Sequence, residues 1–314
     1  MYYPFLRARQ FELITLRELA TEEAIQGFII PILEPVKETN NNLTLAHNVL
    51  QEKNQNAYLI VNPTIGELAG DTTFYLNYME ELENAKFLPA FYFNNNSVFI
   101  NQCIDNYGLN NCMIICQNNV NSDNEDFRSL VTRGEVTTIT VCEPNRNRTL
   151  HRYIKGLHKI YIRLDDLFER KERNSDFLDI QEHKFSEEHI YFKEDGFDGF
   201  SDYTLLPSEY IDGGRNPMAV VIHISYLKNE NQIWIRHFTS ETNDSTSNVQ
   251  GKFAEAAKKA VEFCKQNGLN NSAISELISY YDNEHYPGLG TIKKISIKNH
   301  LLVVSQFLKN RKCQ

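Results

Sequence analysis

Eight short β-rich apolar runs begin at residues 2, 28, 57, 86, 112, 136, 158 and 200, so that successive starts lie 26, 29, 29, 26, 24, 22 and 42 residues apart. A strand, a helix and two short connections together need about that many residues. The intervals carry helical patterns: Leu13, Leu16, Leu19 and Ala20 share one face of Phe11 to Ala24, and Leu45, Val49 and Leu50 recur within Leu43 to Lys53. Further helices fit residues 72–83, 97–107, 123–132, 147–157 and 186–193, with Ser186 placed to cap the last. Alternating strands and helices imply a parallel sheet covered by helices, and eight such units close into a (β/α)8 TIM-like barrel of the α/β class. An open dinucleotide-binding sheet would need a glycine-rich first turn, where this chain has Arg7-Ala8-Arg9-Gln10.

The rhythm stops after Thr204. Ala219 to Leu227 and Gln232 to Phe238 flank the polar Lys228-Asn229-Glu230-Asn231 and read as a β-hairpin. A polar linker over residues 241–250 and three helices, around residues 253–264, 271–281 and 290–309, follow. The expected organisation is a barrel over residues 1–210, with the hairpin and a C-terminal helical extension over 211–314 packed on it.

At 314 residues the chain is long enough for a large core, and 41 acidic against 32 basic side chains leave a formal charge of -9. That balance argues against broad contact with nucleic acid or anionic lipid. No apolar stretch approaches a membrane span, and no apolar segment follows Met1 as a secretory signal would require, so a cytoplasmic protein is expected. The six cysteines include no CxxC pair, and Cys112 and Cys116 fall on one face of a strand as buried free thiols. HxH, HExxH, GxSxG and GxxxxGK[ST] patterns are all missing.

In barrels of this kind the chemistry sits at the carboxyl ends of the strands. Those ends here offer Arg7 and Arg9, Glu34 with Lys37, Asn62, Asn94, Gln117, Glu143, Arg163 with Asp165 and Asp166, and Asp202 with Tyr203. Glu34, Asp165 and Asp202 are the candidate catalytic carboxylates, and with Glu143 they could instead hold Mg2+. Arg7, Arg9, Lys37, Asn62, Glu143, Arg163 and Tyr203 would bind ligand. On the seventh strand Ile160, Ile162 and Leu164 share one parity and are expected under the helices. Arg163 would then project into the barrel and demand a carboxylate partner, either as an ion pair that fixes the core or as an anion-binding group.

A hairpin symmetric about Glu230 pairs residues whose numbers sum to 460, which sets His223 opposite His237 as a cross-strand pair or a ligand or proton-transfer site. Gly213-Gly214-Arg215-Asn216-Pro217 reads as a tight turn with some capacity for anions. Arg170, Lys171 and Arg173 are offset by neighbouring acids and read as a solvated face.

Tyr2-Tyr3-Pro4-Phe5-Leu6-Arg7-x-Arg9-Gln10-x-Glu12-Leu13, then Pro31-Ile32-Leu33-Glu34-Pro35, Gly199-Phe200-Ser201-Asp202-Tyr203, Ile222-His223-Ile224 and Arg236-His237-Phe238 form a set of motifs over residues 1 to about 265. The set resembles the bacterial and phage group called beta family proteins. The resemblance implies a component of antiphage defence with a nuclease-like partner, and it assigns no catalytic residue. Two functions remain open at this point. One is an enzyme, hydrolysis being its natural class, that takes a phosphorylated or sugar-like ligand at the barrel mouth. The other is a non-catalytic recognition or scaffold subunit that docks a protein partner through the hairpin and C-terminal helices.

Overall fold

The computed structural model describes residues 1–117, 120–211 and 217–312. It divides into two compact units, one built from residues 1–13, 17–166 and 188–203, the other from 14–16, 167–187 and 204–314.

The first unit is an α/β barrel. Its strands are β1 (Phe5–Leu6), β2 (Ile32–Leu33), β3 (Ala57–Ile60), β4 (Phe87–Phe93), β5 (Cys112–Cys116), β6 (Val136–Cys142), β7 (Ile160–Asp165) and, beyond an excursion that contains β8 (Glu182–Ser186), β9 (Gly199–Asp202). All are parallel and ordered β1-β2-β3-β4-β5-β6-β7-β9. Tyr2 bridges in parallel to both Ile29 and Phe200, which brings the last strand back to the first. Helices α1 (Gln10–Thr21), α2 (Asn41–Glu52), α3 (Phe74–Glu80), α4 (Ser97–Asn106), α5 (Glu125–Thr132) and α6 (Arg148–Lys155) fill the successive intervals. The long 42-residue interval exists because residues 167–187 leave the barrel for the second unit, adding the short helix α7 (Phe177–Ile180) and β8 before α8 (Glu188–Tyr191) returns. Ser186, expected to cap a helix, is the last residue of β8.

Alternate residues of the strands fill the barrel. Phe5, Ile60, Tyr92, Ile115, Ile162 and Leu164 belong to one buried cluster. The Tyr58 hydroxyl lies 2.9 Å from the Thr138 hydroxyl, a contact between β3 and β6 that only interior residues can make. The opposite parity meets the helices, as Phe93 does with Phe127 of α5 at 5.0 Å between ring centres. Cys112 and Cys116 are buried free thiols, as their spacing predicts. Gly199 is required by the closure: a Cβ there would stand 2.5 Å from the Tyr3 ring, which occupies the interior beside β9.

This parity corrects the reading of β7. Ile162 and Leu164 point into the barrel, and Arg163 points out. Its guanidinium is tied to Asp165 at 2.7 Å, to Glu188 of α8 and to Asp195 at 3.4 Å, and lies 5.2 Å from the centre of the Phe197 ring. The cause is that a barrel interior is as dry as the helix layer, so an apolar parity marks neither face.

The second unit contains a three-stranded antiparallel sheet ordered β10 (Val221–Lys228), β11 (Gln232–Thr239), β8. The expected hairpin therefore has a third strand. Helices α9 (Val249–Gln266), α10 (Ser272–Asp282) and α11 (Leu289–Lys312) supply its apolar core, with Ala256, Ala260, Leu277 and Ile295 packed on Ile222 and Ile224. Ile292 and Ile295 are buried there. No helix among the described residues is long and apolar enough to cross a membrane.

Candidate functional site

The interior parity continues one step beyond the strands, and that step collects polar groups at the carboxyl end of the barrel. Phe5 pairs with Ile32, so the next inward residues of β1 and β2, Arg7 and Glu34, are neighbours. They form an ion pair in which Glu34 is fully buried and Arg7 nearly so. Glu34 also accepts hydrogen bonds from the Thr64 amide at 3.0 Å, the Thr64 hydroxyl at 3.1 Å and the Tyr92 hydroxyl at 3.3 Å. Gly66 holds the loop that delivers Thr64, because its φ of +89° and its approach to the Val36 backbone leave no room for a side chain.

Aromatic faces line the same region. The Arg7 guanidinium carbon lies 5.2 Å from the centre of the Phe5 ring and 5.3 Å from that of Tyr203, distances at which the ring quadrupole attracts the cation. Burial, then the Glu34 carboxylate, pushes the Tyr92 phenol well above its ordinary pKa. Burial and the nearby Cys142, Glu34 and Asp166 do the same to Tyr203, against the lowering effect of Arg7. Both phenols stay protonated and serve as donors at neutral pH. Burial pushes the Cys142 thiol up to about 12, assisted by Asp165, Glu143 and Glu34, so this thiol is not a nucleophile at neutral pH.

Asn62 clamps β4: its Oδ1 accepts from the Tyr92 amide at 2.9 Å, and its Nδ2 donates to the Tyr92 carbonyl at 3.0 Å and to Asp71 at 3.3 Å. The other sequence candidates lie apart from this group. Lys37 is exposed and pairs with Glu67 at 2.8 Å. Arg9 is exposed at the start of α1. Glu143 pairs with Arg146 at 2.8 Å.

Two of the three proposed carboxylates face the helices. Asp165 is spent on Arg163. Asp202 is buried and accepts the Tyr2 hydroxyl at 2.7 Å, beside the stacked rings of Tyr2 and Phe200. Arg163, Asp165 and Asp202, expected at the site, therefore do not join Arg7 and Glu34 inside the barrel, because these three share the outward parity. The carboxylates that would have to converge on Mg2+ stand on opposite faces of the sheet, and among the described residues no group of three or more His, Cys, Asp or Glu side chains is arranged to hold a metal ion.

Tyr92 and Thr64 were not singled out by the sequence, and Asp166 was named there only as a strand-end residue beside Arg163 and Asp165. A search of strand ends for ionisable groups passes over a tyrosine inside β4 and a loop threonine. Asp166 lies just past the end of β7, exposed, and its charge contributes to the raised pKa of Tyr203.

His223 and His237 belong to the second unit, whereas Arg7 and Glu34 belong to the first. Their predicted pairing is observed: they are cross-strand partners, with Nδ1 to Nδ1 at 2.7 Å. A third imidazole joins them, His183 of β8, whose Nδ1 lies 2.9 Å from His237 Nε2. The anion-binding turn considered at 213–217 lies outside the described residues except for Pro217. Arg170 pairs with Glu209 and Lys171 with Glu169, in keeping with a solvated face.

No family model, no curated protein and no solved structure matches this chain.

Proposed function

We propose that the barrel binds a small phosphorylated or sugar-like molecule at the carboxyl end of its strands and hydrolyses it there. The observation that carries this reading is the buried pair of Glu34 and Arg7 bordered by two protonated phenols. Such a set offers a positive charge for an anionic group, donors for hydroxyls, aromatic surface for a sugar ring and a carboxylate to accept a proton from attacking water. Asp166, exposed just past the end of β7 and near enough to Tyr203 to help raise its pKa, is the further carboxylate that this reading would call on. The test is thermal denaturation of the purified chain against a panel of sugar phosphates. A ligand that raises the midpoint for the wild type and not for Arg7→Ala supports the assignment, and a flat response across the panel counts against it.

A second reading is a non-catalytic recognition subunit in antiphage defence that docks a nuclease-like partner. One feature favours it: four donors already engage Glu34, more than a reactive base would ordinarily carry. Its defence role rests on the motif resemblance alone, and co-purification of a polypeptide with the chain from its own host would support it.

A further inference from the structure

The second unit contains a cleft of about 710 Å³, within the ~300–1,000 Å³ usual for small-molecule sites. Leu206, Val221, Ile292 and Ile297 make an apolar wall, and Arg173, Lys293 and His223 stand around it with Glu172, the one carboxylate among the described lining residues. All of these residues belong to the second unit, and Arg7 and Glu34 belong to the first.

His223 is one end of the three-imidazole chain, and the chain fixes what it presents. Burial lowers the pKa of all three rings, so each is neutral and carries one N–H. His237 cannot accept at both ends, which would need an imidazolate, nor donate at both, which would need a buried imidazolium. Two proton orders remain. If the donors run from His223 to His183, the last N–H is His183 Nε2, which is buried and has no hydrogen-bond partner among the described residues. If they run from His183 to His223, only an acceptor is left there, and His223 Nε2–H becomes the terminal donor. Stranding a buried N–H is the costlier arrangement, so the second order holds.

We propose that the cleft is a second binding site, for a small amphipathic carboxylate whose apolar body lies on the Ile292 and Leu206 wall and whose head group meets the His223 Nε2–H, Lys293 and Arg173. Charge decides the class: among the described lining residues, two cations and one fixed donor stand beside one acid. The apolar wall requires a chain or ring as well as a head.

The experiment is calorimetric titration of the full chain with decanoate, decanol and acetate. Decanoate is expected to bind, decanol at least roughly tenfold more weakly, and acetate not measurably, since a hydrogen bond to a charged group is worth about that factor or more. Lys293→Met and His223→Phe should each weaken decanoate by roughly tenfold and leave decanol unchanged, while Leu206→Trp should abolish both. Circular dichroism checks each fold, and if His223→Phe does not fold, the Lys293→Met result decides. Equal affinity for decanoate and decanol, no decanoate binding up to millimolar concentration, or undiminished binding by a folded Lys293→Met protein would each overturn the proposal.

Discussion

Arg7 and Glu34 extend adjacent parallel strands and meet as a buried ion pair inside the barrel, whereas Arg163, also buried, finds Asp165, Glu188 and Asp195 on the outer face of the sheet. Removing one partner of a buried pair strands the other charge. Glu34→Leu and Arg7→Met should each destabilise the protein by about 3–5 kcal/mol in urea unfolding, and the double variant should recover a large part of that loss. Additive losses would show that the two side chains do not act as a pair.

Arg163→Met leaves Asp165, Glu188 and Asp195 without their shared cation. It should cost stability on the same scale, about 3–5 kcal/mol, with no change in binding at the barrel mouth once the fold is held at low temperature. A selective loss of ligand with stability intact would place Arg163 back among the binding residues.

The histidine chain gives the protein a pH signature. Burial lowers His223 to about 3 and His237 to about 2, from an ordinary value near 6.5. Between those values the unfolded chain binds protons that the folded one does not, so this contribution is present above pH ~6.5 and is lost as the pH falls. Each ring adds a slope of up to about 1.4 kcal/mol per pH unit. Urea unfolding at pH 7 and pH 4.5 should show a large drop for the wild type and a smaller one for His237→Phe.

Gly199→Ala sets a Cβ 2.5 Å from the Tyr3 ring. Overpacking of this kind costs roughly 1–3 kcal/mol. Tyr3→Leu should offset part of the loss when combined with it, as melting of the single and double variants would show.

The barrel is legible in the spacing of its β-rich runs because each βα unit consumes a nearly fixed length of chain. The pairing of His223 with His237 is legible because a hairpin maps position onto partner. The face of β7 is not, since Ile162 and Arg163 both end in dry surroundings and only the register with β6 and β9 separates them. Glu182-His183-Lys184-Phe185-Ser186 hides a strand for a related reason: with one apolar side chain in five residues it carries no clear alternation, and its partner β11 is about fifty residues away. His183 was missed with it. At the mouth, Arg7 and Glu34 stand out as charges that end apolar runs, but Asp202 has the same mark in the sequence and the opposite direction in the fold.

The account turns on which carboxylate faces the barrel interior, and the most direct measurement compares turnover of nitrophenyl phosphates and nitrophenyl glycosides by the wild type, Glu34→Gln and Asp202→Asn. Loss of a placed base costs at least about 100-fold. That loss is expected for Glu34→Gln, with near wild-type rates for Asp202→Asn; an active Glu34→Gln enzyme beside an inactive, folded Asp202→Asn protein would contradict the assignment of Glu34 as the base.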